Sequence, residues 1–237
     1  MSATMASGRR SSERWIVILA SLLGFLLFLI VFALLGPVFR LFTIPAGSMK
    51  PTIEIGSFVL ASRASYGYSR YSFDFAELPI QERWPSWGLP KRGDVVTFRK
   101  PKDHNTFFIK RVVGLPGDRI QMINGVLNIN GAPVKLERVE DKIEDVKCGY
   151  QTERMPVHQY REILPDGRSY LIQKLSETCN FDRNDAADNT HAFAVPPGHY
   201  FMLGDNRDDS ADSRFATGNG VGYVPFELIL GRIVASF

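Results

Sequence analysis

Cysteine and histidine are scarce in this chain. Two cysteines, Cys148 and Cys179, and four histidines are spread over 237 residues, with no CxxC or HExxH spacing among them. A structural zinc site takes four such ligands at recognisable spacing, so the composition argues against a metalloenzyme, and neither metal nor cofactor is expected. The histidines, His104, His158, His191 and His199, fall in polar loops or at a strand edge without a surrounding motif and read as ordinary surface residues. That removes the commonest general base. Excess charge is lacking too. Lys and Arg number 28 against 25 Asp and Glu, a formal net charge of +3, and no long basic block forms, which speaks against nucleic acid as the partner. Beyond residue 36, helical periodicity is hard to find, and there is no internal repeat or low-complexity array.

One segment stands out against this background. Trp15 to Leu35 reads WIVILASLLGFLLFLIVFALL, 21 residues without a charge and interrupted only by Ser21 and Gly24. As a helix it extends about 31 Å, close to the hydrocarbon thickness of a bilayer, and it predicts a transmembrane helix over 15–35 with the lipid bilayer as a partner. A cleavable leader has a shorter apolar region ending in a small-residue site, whereas this run stops at Gly36-Pro37. Residues 1–14, small, polar and basic, read as a cytoplasmic tail. Charge gives only a slight bias in orientation, since Arg9, Arg10 and Arg14 precede the span while Arg40 and Lys50 follow it. The two cysteines bear on the same question. If Cys148 and Cys179 form a disulfide, the downstream domain lies in an oxidising compartment, and a loop of roughly 30 residues is closed for ~3–4 kcal/mol; if they are two unrelated buried thiols, no such inference follows.

The remainder is punctuated by short β-type runs: SFVLAS (57–62), DVVTF (94–98), TFFIKRVV (106–113), GVLNIN (125–130), HYFML (199–203) and LGRIVASF (230–237). Asn124-Gly125, Asn130-Gly131 and Leu115-Pro116-Gly117-Asp118 are turn signals. A mainly β fold follows. Residues 120–195 turn polar and charged and include both cysteines, which predicts an inserted subdomain between two parts of a main domain, 36–119 and 196–237. A second irregular stretch, 66–90, is dense in Tyr, Phe and Trp. It reads either as a loop packed on the domain or as a surface dipping into lipid headgroups.

Three segments carry candidate chemistry. In FTIPAGSMKPTI, residues 42–53, prolines at 45 and 51 and Gly47 present Ser48 on a defined turn, although a lone turn serine is ordinary and needs a base to become a nucleophile. In TFFIKRVVG, strand alternation puts Phe108, Lys110 and Val112 on one face. Lysine so flanked is either partly desolvated, which lowers its pKa and fits it to accept a hydroxyl proton, or it reaches past the strand edge to water. The run GDNRDDSADSR, 204–214, packs four Asp, two Arg and two Ser into eleven positions and reads as either an ordered hydrogen-bond network or a solvated loop.

Taken together, SMKPT (48–52), RGDVVTF (92–98), KRVVGLPGD (110–118) and GDNRDDSADSR (204–214) resemble, in order and surroundings, the signature of bacterial type I signal peptidases, and the resemblance runs from the anchor to the C-terminus. It implies an antiparallel β catalytic domain with a smaller inserted β-rich subdomain, preceded by one transmembrane helix. Ser48 matches the nucleophile, Lys110 the general base, and Ser210 the serine that hydrogen-bonds the lysine, while Asp205, Arg207, Asp212 and Arg214 match residues supporting the site. The implied substrates are secreted preproteins with small residues at positions −1 and −3. The implied location is the bacterial cytoplasmic (inner) membrane, single-pass, with the catalytic domain on the outer side.

Two features depart from the family pattern. Many members carry a serine, an oxyanion-hole donor, where this chain has Ala46, and after Arg214 the sequence continues FATGNGVGYVP without the frequent Trp-Gly. Two rival readings follow other routes. A self-cleaving repressor-type Ser/Lys protease should have a DNA-binding domain in place of the apolar span, and a non-catalytic membrane-anchored binding or scaffold protein would need none of the four motifs together.

Overall fold

A computed structural model of the chain describes residues 5–36, 38–73, 77–86, 88–148, 151–175, 185–216, 218 and 220–237. Cys179, and the side chain of Cys148, lie outside the described residues, and with them the disulfide expectation. Two compact units are separated at Arg40/Leu41. The first holds helix α1 (Met5–Leu35). From Trp15 to Ile30 every large hydrophobic side chain on it is between 44% and 69% exposed. Among the described residues no helix is long and apolar enough to cross a membrane.

The second unit, Leu41–Phe237, is mainly β. Its strands in chain order are β1 (Phe39–Thr43, shared with the boundary), β2 (Phe58–Ser62), β3 (Val95–Lys100), β4 (Asp103–Gly114), β5 (Arg119–Ile123), β6 (Val126–Ile129), β7 (Ala132–Pro133), β8 (Lys135–Arg138), β9 (Lys142–Cys148), β10 (Gln151–Ile163), β11 (Ser169–Leu175), β12 (Phe193–Ala194), β13 (His199–Leu203), β14 (Val224–Pro225) and β15 (Ile229–Ser236). Each of the six runs marked in the sequence corresponds to one of these strands. The two Asn-Gly pairs form tight turns with positive φ at both residues, 51° and 70° at Asn124 and Gly125, and 55° and 82° at Asn130 and Gly131. That is the backbone a two-residue hairpin loop requires.

Seven strands make the principal sheet, in the order β1-β2-β15-β3-β4-β13-β14, antiparallel from β2 to β14. All of them come from residues 39–114 and 199–236. Between the hydrogen-bonded neighbours β4 and β13 the chain builds two further antiparallel sheets, β12-β5-β6-β7 and β11-β10-β8, the latter extended by β9 on β10.

Alternation along β4 sends successive side chains to different cores. Val112 joins Val96, Phe98, Met202 and Ile229 with Phe108 packed alongside, whereas Val113 joins Ile120, Leu127, Phe201 and Leu203. A third cluster, Ile44, Met49, Ile53 and Val59, lies under the turn that follows β1. The aromatic stretch 66–90 is irregular and packs in part. Tyr66 is buried, Tyr71 packs against the first core, and Arg83 stacks over Phe226 while donating to the carbonyls of Gly67, Phe226 and Ile229. Trp84 is left 73% exposed.

Candidate active site

Ser48 rides on a turn whose neighbours are held down. Met49 and Ile53 are 2% and 3% exposed and fill the third core, and the turn closes through Lys50 N–H to Gly47 O and Ile53 N–H to Met49 O, both 3.0 Å. A hydroxyl between a tight turn and a buried methionine has little freedom of position. Lys110 comes to it from the middle of β4, where it pairs with Val96. Its Nζ lies 2.5 Å from Ser48 Oγ and 5.5 Å from the Phe108 ring, and the residue is 2% exposed. The lysine therefore does not reach water past the strand edge. Burial pulls its pKa down to about 8, against the opposing pull of Asp212, Asp205 and Asp209. A lysine of that pKa is neutral in a useful fraction near neutral pH, with a lone pair to accept the hydroxyl proton.

The polar run after β13 is an ordered network. Asp205 is gripped in fork geometry by Arg111, Nε to Oδ1 at 2.8 Å and Nη2 to Oδ2 at 2.5 Å, and it also accepts from Thr52 Oγ1 at 2.5 Å. Arg111 donates further to Gly93 O and lies over the Tyr170 ring at 3.9 Å. One carboxylate thus ties the strand that carries Lys110 to the turn that carries Ser48. Asp212 takes two bonds from the Arg214 guanidinium, each 2.9 Å, the Arg214 N–H at 3.2 Å and the Gly204 N–H at 3.1 Å. Burial alone would push its carboxyl up, but these donors, Arg214 foremost, hold it below the usual range. Arg207, 2% exposed, is clasped through Nη2 by both oxygens of Glu162 on β10. The backbone closes the assembly: Asn206 N–H donates to Ser48 O at 3.1 Å and Asn206 Nδ2 to Gly47 O at 3.2 Å.

Ser210 differs from the expectation. Its hydroxyl is buried with no hydrogen-bond partner, so it makes no bond to Lys110 in this conformation, and the lysine's contact is with Ser48. The Ser210 hydroxyl also contributes, after Arg214 and the Gly204 N–H, to holding the Asp212 carboxyl down.

Beside the serine opens a cavity of about 570 Å³, lined by Phe42, Ile44, Ala46, Met49, Phe107 and Ile109 among others, with Ser48 and Lys110 at its wall. Ala46 brings no donor to it. Among the described residues no acceptor takes the Ser48 N–H, which leaves that group available to a developing oxyanion.

With this geometry in place, comparison with known proteins identifies the family. Residues 13–237 match the family described as signal peptidase, peptidase S26. The chain belongs to that family. It is 41% identical over 194 residues to the signal peptidase I of Rickettsia akari, covering 81% of this chain and 68% of that protein. It is also 41% identical over 212 residues to the signal peptidase I of Rickettsia massiliae, covering 88% and 76%. A crystal structure of a signal peptidase I from Enterococcus faecalis is similar at 23% identity and a TM-score of 0.34, over 63% of this chain and all of that one, a likeness too loose to carry an argument. Membership settles the reaction class. This S26 peptidase is a serine endopeptidase of the kind that removes signal peptides from secreted preproteins.

Motif reasoning missed three participants in this S26 site: Arg111, Thr52 and Glu162. The first two sit inside motifs quoted above, one residue past Lys110 and four past Ser48, where spacing alone gave no sign of a shared carboxylate. Glu162 lies in the polar 120–195 region, which carries no signal for it. Its burial makes a direct test. Glu162→Ala leaves the Arg207 guanidinium buried and without its carboxylate, and it is expected to lower unfolding stability by about 3–5 kcal/mol, measurable by denaturant titration of the whole chain in detergent.

Proposed function

We propose that Ser48 is the nucleophile and Lys110 the general base of this signal peptidase. The single observation that carries the assignment is the 2.5 Å contact between Lys110 Nζ and Ser48 Oγ inside a buried site. Neutral Lys110 takes the hydroxyl proton as Oγ bonds to the scissile carbonyl carbon. The ammonium so formed then protonates the leaving amine as the C–N bond breaks. In the second half Lys110 takes a proton from water as the water oxygen attacks the ester carbonyl carbon, then returns it to Ser48 Oγ as the C–Oγ bond breaks and the leader fragment leaves. Asp205, Arg207, Asp212 and Arg214 support the site by bracing the Ser48 turn and the loop behind it, and Ser210 stands in reserve beside Gly204 for the lysine. The Ser48 N–H is the first oxyanion donor.

The groove along Phe42–Ala46 and Phe107–Ile109 accommodates an extended peptide, and its apolar lining suits small uncharged residues at −1 and −3. The exposed apolar surface of α1 reads as a transmembrane anchor over 15–35. Only 13 positions separate Leu35 from Ser48, at most about 43–47 Å of extended chain, so the reacting serine stays near the bilayer on the outer side of the bacterial inner membrane. There the Cys148 and Cys179 pair would be oxidised. Residues 120–195, with two sheets of their own between neighbouring strands β4 and β13, are read as the inserted subdomain within the 36–119 and 196–237 catalytic domain.

The deciding experiment incubates the detergent-solubilised chain with an exported preprotein and locates the cut by mass spectrometry, with Ser48→Ala as control. A cut at the leader boundary made equally by the control would remove the assignment. pH gives an independent check. Because the amine must be unprotonated, kcat/KM is expected to rise about tenfold per pH unit below about 8 and to level off above it. A profile flat from mildly acidic to alkaline pH would count against a lysine base.

A further inference from the structure

One carboxylate near the dyad has no assigned role. Asp209 lies on the loop that backs Ser48, and its Oδ2 sits 3.5 Å from where a Cβ on Gly47 would be. Unlike Asp205 and Asp212 it is exposed, and among the described residues no cation or donor side chain is bonded to it. It faces Lys110 and Lys50 electrostatically, and partial desolvation against the turn pushes its carboxyl up. The only permanently charged cation of the pair is already taken: Lys50 donates to Glu144 Oε2 at 2.8 Å and lies 3.5 Å from Glu54. With Lys110 neutral in the working enzyme, the lip beside the nucleophile carries net negative charge, and Asp209 is the member left free. It is also outside the apolar groove, none of whose lining residues comes from the 204–214 loop.

We propose that Asp209 is a specificity-determining residue for the part of the substrate that leaves the groove, the first residues of the mature chain, where it favours a cationic side chain over an anionic one. This rests on the reading that the groove takes the leader side of the scissile bond. A carboxylate at the mouth of a partly desolvated site acts on a substrate charge through an effective dielectric well below that of water. Salt weakens such an interaction, with a screening length of about 8 Å at physiological ionic strength, so the preference is salt-dependent.

The test uses the full chain in detergent and three peptides that span one cleavage site and differ only at the second residue after the cut: Lys, Gln or Glu. Wild type is expected to cleave the Lys peptide about five- to tenfold faster in kcat/KM than the Glu peptide, with the ratio falling as salt is raised. Asp209→Asn is expected to bring that ratio to within about twofold while keeping the Gln peptide within about threefold of wild type. An unchanged Lys-to-Glu ratio in Asp209→Asn overturns the proposal, and so does a loss of all three activities in equal measure, which would mark a structural role. If wild type cleaves none of the three, the peptidase assignment itself falls, and this inference with it.

Discussion

Lys110→Met and Ser48→Ala are each expected to reduce kcat to near the background rate, a loss of at least about a thousandfold, and the double variant to lose no more than either alone. Nucleophile and base act as one unit, so removing one strands the other and the losses do not add. Lys110→Met serves as the sharper of the two because it separates chemistry from folding. A lysine whose pKa drops from 10.5 to about 8 on burial binds fewer protons folded than unfolded between those values. Its charged form therefore weighs against the native state at neutral pH, and the penalty fades as pH rises toward 10.5. A methionine of similar length carries no such penalty. The variant is thus expected to be at least as stable as wild type at pH 7, by thermal unfolding, while being inactive. Retention of more than about a tenth of wild-type kcat in either single variant would sink the dyad.

Gly204→Ala is the second large effect. A Cβ there would stand 2.5 Å from Ser48 O and 2.5 Å from Ser210 Cβ, separations that real Cβ atoms do not tolerate. One of these is the backbone of Ser48, already fixed by the Asn206 N–H, so relief must move the Ser48 turn, the loop, or both. Misplacement by about 1 Å in such a site costs roughly a hundredfold in rate, and overpacking typically takes 1–3 kcal/mol from stability. The expected result is a folded protein with kcat/KM down by about a hundredfold or more. Gly117→Ala is the matched control. Its φ of +89° strains an alanine, but nothing lies within 4 Å of the new methyl, so a modest stability loss with activity intact is expected. Equal activity in the two variants would show that Gly204 does not set the position of Ser48.

The contrast between these glycines shows how far the sequence could be read. Strand positions were legible because alternation and Asn-Gly turns are local, and β2, β3, β4, β6, β13 and β15 follow from them directly. Ser48 and Lys110 stood out as candidates only through the resemblance of their motifs, since neither residue alone distinguishes a catalytic group from an ordinary one; that they meet across 62 positions was not legible. Sheet order was not legible. Nothing local says that β15 is seated between β2 and β3, or that two small sheets are built between β4 and β13. The clamps were hidden for the same reason: Arg111 meets Asp205 across 94 positions and Arg207 meets Glu162 across 45. The alternative left open for the 204–214 run, solvated loop or ordered network, is resolved by burial, as Asp205, Asn206, Arg207, Asp212, Ser213 and Arg214 are all at most 7% exposed.

The length of those connections has a consequence for biosynthesis. Thr52 and Asp205 are 153 positions apart, and Gly47 and Asn206 are 159 apart, so the turn presenting the serine leaves the ribosome well before the loop that holds it. At ordinary elongation rates of 5–20 residues per second, that interval is about 10–30 s. Contacts of such separation form late, once the intervening chain has condensed. Through that interval the nascent chain carries a Ser48 whose bracing by Asp205 and Asn206 does not yet exist, so the geometry of the turn is completed only when the last quarter of the chain has been made.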